Sequence, residues 1–172
     1  MSIPGKQLDP QVLTEDVGLT VPKLLPVTGT FAPAFGAYFA LLAFRVSFAR
    51  RATKTTLGER SRHSSNVQAD AGAASAEGDS LIIATRSHAN FVENVPFALL
   101  IASIVELNGG DRRALTASLA GLLLARIVHV EFGLRVKGAV GWGRPVGTLS
   151  SLGIIVGLSS YAAYLVKSYW GF

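Results

Sequence analysis

The stretch TRSHANFVENVP, residues 85–96, sets a cation, an amide and a carboxylate within one short run: Arg86, Asn90 and Glu93. These side chains have complementary chemistry. An arginine can clamp a carboxylate through two parallel N–H bonds. A glutamate accepts from an ammonium, and an asparagine both donates and accepts. A ligand that carries both signs of charge, such as a zwitterion or a small peptide, would suit the set. At about 100° per residue, Arg86, Asn90, Glu93 and Phe97 fall within a narrow arc of one helix face, Asn94 lies at its edge, and His88 points elsewhere. A second group stands in LLLARIVHVEFGLRVK, where Arg126 and His129 share a face at i, i+3. Glu131 lies on another face, four residues before Arg135, and reads as a surface ion pair. A purely structural alternative stays open for the same residues. Glu93 and Arg126 come at similar depths and can form an interhelical ion pair, and His129 can serve as an interhelical hydrogen bonder. His88 and His129 are too few for a metal site, and His63 stands in a polar loop with no assigned role.

The elements that must carry these residues are apolar. Of the 172 residues, 49% are hydrophobic, and they gather in blocks at about 27–49, 81–106, 114–134 and 146–167. Each block is long enough to cross a hydrocarbon core of ~30 Å, which takes ~20 helical residues. The last block, VGTLSSLGIIVGLSSYAAYLV, holds no charge. The expected fold is all-α, an integral membrane four-helix bundle, in preference to a soluble bundle. A charge inside a span costs roughly 2.5–3.5 kcal/mol at its centre. The polar face of the second span is therefore expected to look into protein or a wet cavity, not at lipid.

The net charge is +5, but its placement argues against nucleic acid as a partner. Arg50, Arg51, Lys54, Arg60 and Arg62 follow the first span, and Arg135, Lys137 and Arg144 lie between the third and fourth. Fewer cations flank the other ends: Lys6, Lys23, Arg112, Arg113 and Lys167. That bias places loops 50–80 and 135–145 in the cytoplasm and both termini on the far side, with anionic lipid as a natural neighbour. Arg45, near the end of the first span, can snorkel to the surface. There is no cysteine, which excludes disulfides, thiolate metal sites and a cysteine nucleophile within this chain. Residues 1–26 carry acids and prolines without a basic-then-apolar leader pattern and read as a polar tail. Residues 168–172 are a C-terminal tail. Residues 52–79, rich in Ala, Gly and Ser, read as a flexible loop or frayed helix. Asn108-Gly109 marks a short turn that makes the second and third spans antiparallel neighbours. Gly153 and Gly157 have the GxxxG spacing that lets helices approach closely. No internal repeat of the transporter kind appears, and no Ser-His-Asp set, Walker loop or dinucleotide fingerprint.

RSHANFVENVPFALL resembles the signature helix of the MAPEG family, the membrane-associated proteins of eicosanoid and glutathione metabolism. The four spans, ARRA at 49–52 closing the first and ARIVH late in the third support the resemblance over residues 24–167. It implies a homotrimer of four-helix bundles with glutathione bound between neighbouring subunits. It also implies that the tripeptide is held by Arg86, Asn90 and Glu93, with Asn94, His129, and Arg50 or Arg51 contributing. The family's catalytic members stabilise the thiolate with an arginine at the start of the fourth helix. Here that is Arg144, with Arg126 as the second candidate. The implied activity is a glutathione transferase or peroxidase acting on lipophilic electrophiles or lipid hydroperoxides, in an intracellular membrane if the cell is eukaryotic. The alternative is a non-catalytic MAPEG-like scaffold or lipid-binding protein. The sequence departs from the eicosanoid enzymes, which carry a tyrosine where Asn94 stands and aromatic hydroxyls near His129 and Gly133. In this it is closer to generic fungal and bacterial members.

Overall fold

The first helix starts where its proline dictates. The computed structural model describes residues 24–54, 71–136 and 139–171, and within it α1 runs Pro26–Ala52 with Pro26 in its first turn. Proline suits that position because its missing N–H would have no helical partner there. The next amide groups are not left open. The N–H groups of Val27 and Thr28 donate to the Glu106 carboxylate at 2.5 and 2.9 Å, and the Thr28 hydroxyl adds a 2.7 Å bond. A carboxylate at a helix N-terminus also meets the positive end of the helix dipole. Glu106, at the far end of the second helix, thus caps the first.

Helix α2 runs Ala71–Leu107. Residues 71–79, within the 52–79 segment expected to be a flexible loop or frayed helix, are helical. Alanine has the highest helix propensity, and Ala71, Ala73, Ala74 and Ala76 extend the span downward. Residues 55–70 of that loop, with His63, lie outside the described residues, as do residues 1–23 of the tail. The Asn108-Gly109 turn is as expected, with Gly109 at φ +79°, a conformation open to glycine at no steric cost. Asp111 then caps α3 (Arg112–His129), accepting from the Ala114 N–H at 2.8 Å. The Tyr161 hydroxyl accepts the Asp111 N–H at 2.9 Å and ties this turn to the last helix. Helix α3 passes into a π-helical turn, Val130–Leu134, and α4 runs Gly143–Leu165, followed by a 3-10 turn at Lys167–Trp170. Arg144 and Pro145 lie in the first turn of α4, where Arg144 was expected at the start of the fourth helix, although the loop was expected to reach 145.

Four helical stretches, Pro26–Ala52, Ser80–Leu107, Arg112–Leu134 and Gly143–Leu165, are long and apolar enough to cross a membrane. They coincide with the expected spans to within a few residues. Their inward stripes follow alternating steps of three and four. In α2 these are Phe91, Val95, Ala98, Ala102 and Val105; in α3 they are Leu115, Leu119 and Leu122. The α3 stripe continues at the same spacing into Arg126 and His129, both buried. The polar pair therefore occupies core positions of a helix whose core seam is otherwise leucine.

Helices α3 and α4 approach closely through glycines. A Cβ at Gly133 would lie 2.6 Å from the Arg144 nitrogen, one at Gly143 2.4 Å from the Val128 oxygen, and one at Gly147 2.5 Å from the Ala125 oxygen. Gly153 and Gly157, singled out for this role by spacing, have nothing within 4 Å of an added Cβ. The close crossing uses Gly143 and Gly147, which share the same spacing, and Gly153 and Gly157 face outward.

Candidate functional site

Arg126 is the centre of a buried network that joins three helices. Its side chain is 2% exposed. Nη1 donates to the Asn90 side-chain oxygen of α2 and Nη2 to the Gly147 carbonyl of α4, both at 2.5 Å. The expected alternative of a Glu93–Arg126 ion pair does not form. Arg126 takes Asn90, one turn earlier on the same face, and Glu93 is exposed. Asn94 is turned back on its own helix, donating to the Asn90 backbone oxygen at 2.8 Å. A guanidinium held by two neutral acceptors keeps its full charge inside the bundle, so removing either acceptor would be costly.

Beside this network lies a cavity of about 620 Å³, bordered by Arg86, Asn90 and Glu93 of α2, His129 of α3, and Arg144 and Thr148 of α4. Five residues named from sequence are thus brought together: Arg86, Asn90, Glu93, His129 and Arg144. Arg126 and Asn94 stand behind the wall and do not border the cavity. Arg50 and Arg51 are not brought to it either. They end α1, and no α1 residue lines this cavity.

His129 is oriented by α4. Its Nδ1 lies 3.1 Å from the Arg144 carbonyl and 3.3 Å from the Thr148 hydroxyl, which itself donates to that carbonyl at 2.9 Å. A carbonyl can only accept, and the hydroxyl proton is already used, so Nδ1 carries the ring proton and Nε2 is the acceptor. Arg144 donates weakly to the Ala139 carbonyl at 3.3 Å. Arg86 and Glu93 have no hydrogen-bond or ion-pair partner among the described residues. Thr148 was missed in the sequence. It stands one helical turn after Arg144, so the i, i+4 rule would have put it on the same face. The π turn that carries Glu131 toward α1 was also not legible. There Glu131 bonds Arg45 of α1 at 2.5 Å as well as the expected Arg135. Arg45 thus forms a bridge between helices where free snorkelling was expected. His88 packs against Phe39 with ring centroids 5.1 Å apart and planes tilted by 47°, away from the cavity as expected.

Four helices of membrane-spanning length, with a cavity between three of them bordered by both signs of charge, have the architecture of a multi-pass membrane protein. Residues 28–164 match the profile of the MAPEG family, and the chain belongs to that family. Comparison with curated proteins and with solved structures gives no match. Membership agrees with the integral, multi-pass architecture and with a role of the glutathione or eicosanoid kind.

Proposed function

We propose that the protein binds glutathione in the cavity between α2, α3 and α4 and uses its thiol against lipophilic electrophiles or lipid hydroperoxides. One observation carries this reading: Arg86, Glu93 and Arg144, charges of both signs, border one cavity, and none of them has an ion-pair partner among the described residues. The volume of about 620 Å³ lies in the range of small-molecule pockets. Glutathione has two carboxylates, one ammonium and two amides, so the donor set fits it. Arg86 holds a carboxylate, Glu93 accepts from the ammonium, and Asn90, fixed by Arg126, presents its amide to the peptide backbone. His129 offers Nε2 as an acceptor, its tautomer fixed by Arg144 and Thr148. When bound, glutathione supplies a sulfur nucleophile. Arg144 offsets the negative charge that forms when the thiol proton leaves to solvent, helped by the first turn of α4.

The buried Arg126 network by itself would fit a structural scaffold. It accounts for Arg126 and Asn90 but leaves Arg86, Glu93 and Arg144 without a purpose. Calorimetry in detergent separates the readings. Arg86→Ala and Glu93→Ala are each expected to weaken glutathione binding by roughly 1.5–3 kcal/mol, the scale of a charged hydrogen bond. Folded variants that bind as wild type does would leave the face structural.

The cavity lacks a wall from α1, and Arg50 and Arg51 stand away from it. A homotrimer in which a neighbour's α1 closes the cavity would supply both, with the basic loops in the cytoplasm. Native mass spectrometry is expected to give a trimer, and a monomer that still binds glutathione at full affinity would remove the intersubunit arrangement.

A further inference from the structure

A second cavity, about 490 Å³, lies between α1 and α2 at the basic end of the bundle, separate from the one described above but sharing Ile83 as a wall. Arg45 and Arg135 border it together with Phe48, Ile83, Ala84 and Ser87. Both arginines bond to the same carboxylate. Arg45 Nη1 meets Glu131 Oε1 and Arg135 Nη1 meets Oε2, each at 2.5 Å. Two cations and one anion leave one unit of positive charge at the cavity. Each guanidinium carries five N–H donors in a planar fork, and the side chains are 32% and 50% exposed, so donors remain open. The rest of the lining is apolar apart from Ser80 and Ser87, and Phe48, on its outer lip, is 63% exposed on a membrane-length helix. A polar cationic floor at the end of the span and an apolar lip toward the hydrocarbon match a molecule with a negative head and an acyl tail.

We propose that this groove binds an anionic phospholipid, its phosphate against Arg45 and Arg135 and one acyl chain along Phe48 and Ile83. The proposal is independent of the glutathione reading. The full-length protein, stripped of lipid in detergent, is titrated with phosphatidylglycerol or phosphatidylcholine of matched chains, and adducts are counted by native mass spectrometry. Wild type is expected to retain phosphatidylglycerol preferentially. Arg135→Gln, at an exposed position, and Arg45→Gln should each cut that preference about fivefold, the scale of one arginine at an anionic lipid surface. Ala84→Trp leaves the charges and fills the groove, and is expected to lose retained lipid of both kinds while eluting as a wild-type-sized particle. Equal retention of the two lipids by wild type would overturn the proposal, as would a preference unchanged in the arginine and tryptophan variants. Displacement of phosphatidylglycerol by equimolar oleate would overturn the phospholipid assignment.

Discussion

Arg144→Ala is expected to lower glutathione-dependent turnover by about 10²-fold or more, with a much smaller change in glutathione affinity. A thiol with a pKa near 8.5 is only a few per cent ionised at neutral pH, so an enzyme that uses it must stabilise the anion. Removing one preorganised group from a site of developing negative charge typically costs 10²–10³ in rate. Arg144 is exposed, in the first turn of α4, and borders the cavity, and among the described residues its side chain makes only a long bond to the Ala139 carbonyl. Its charge is therefore not neutralised by any of the described residues. Arg126 offers a sharp contrast. It is buried, both terminal nitrogens are engaged, and it does not border the cavity. Arg126→Ala is expected to disturb Asn90 and hence binding, whereas Arg144→Ala should abolish the thiolate absorbance of bound glutathione near neutral pH. A folded Arg144→Ala protein with unchanged turnover would remove Arg144 from the chemistry.

The spans were legible because hydrocarbon imposes a length and an apolar composition that few other structures share. The polar face of α2 was legible for the same reason: Arg86, Asn90 and Glu93 are costly in a span and coincide on one helical arc. Partner choice was not. Glu93 and Asn90 are both within reach of Arg126 by depth, and periodicity cannot say which one a guanidinium takes. The answer depends on how α3 is rotated against both α2 and α4, and its close approach to α4 runs through glycines that look alike in sequence. A Cβ at Gly143 or Gly147 would run into α3, while one at Gly153 or Gly157 would meet nothing within 4 Å among the described residues, although the spacing is the same. The π turn at Val130–Leu134 is likewise a product of packing, with no local signature in VEFGL.

That difference between glycines gives the last expected result. Gly147→Ala should destabilise the subunit by about 1–3 kcal/mol, the usual range for forcing a methyl into a packed interior. Its Cβ would meet the Ala125 oxygen and the His129 Cβ, each at 2.5 Å. Neither is the free end of a flexible side chain, so α4 must move off α3. The movement carries three parts of the site with it: the Gly147 carbonyl that holds Arg126, the Arg144 carbonyl that fixes His129, and Arg144 itself. Glutathione affinity should fall along with the melting temperature, although no contact group has been altered. Gly153→Ala is the control. It adds the same methyl to the same helix with nothing within 4 Å, and alanine is the better helix former by about 0.8–1.0 kcal/mol. The detergent-solubilised variant should melt at or above the wild-type temperature and bind as wild type does. Equal melting temperatures and equal affinities for the two variants would mean that the α3–α4 crossing does not position the cavity.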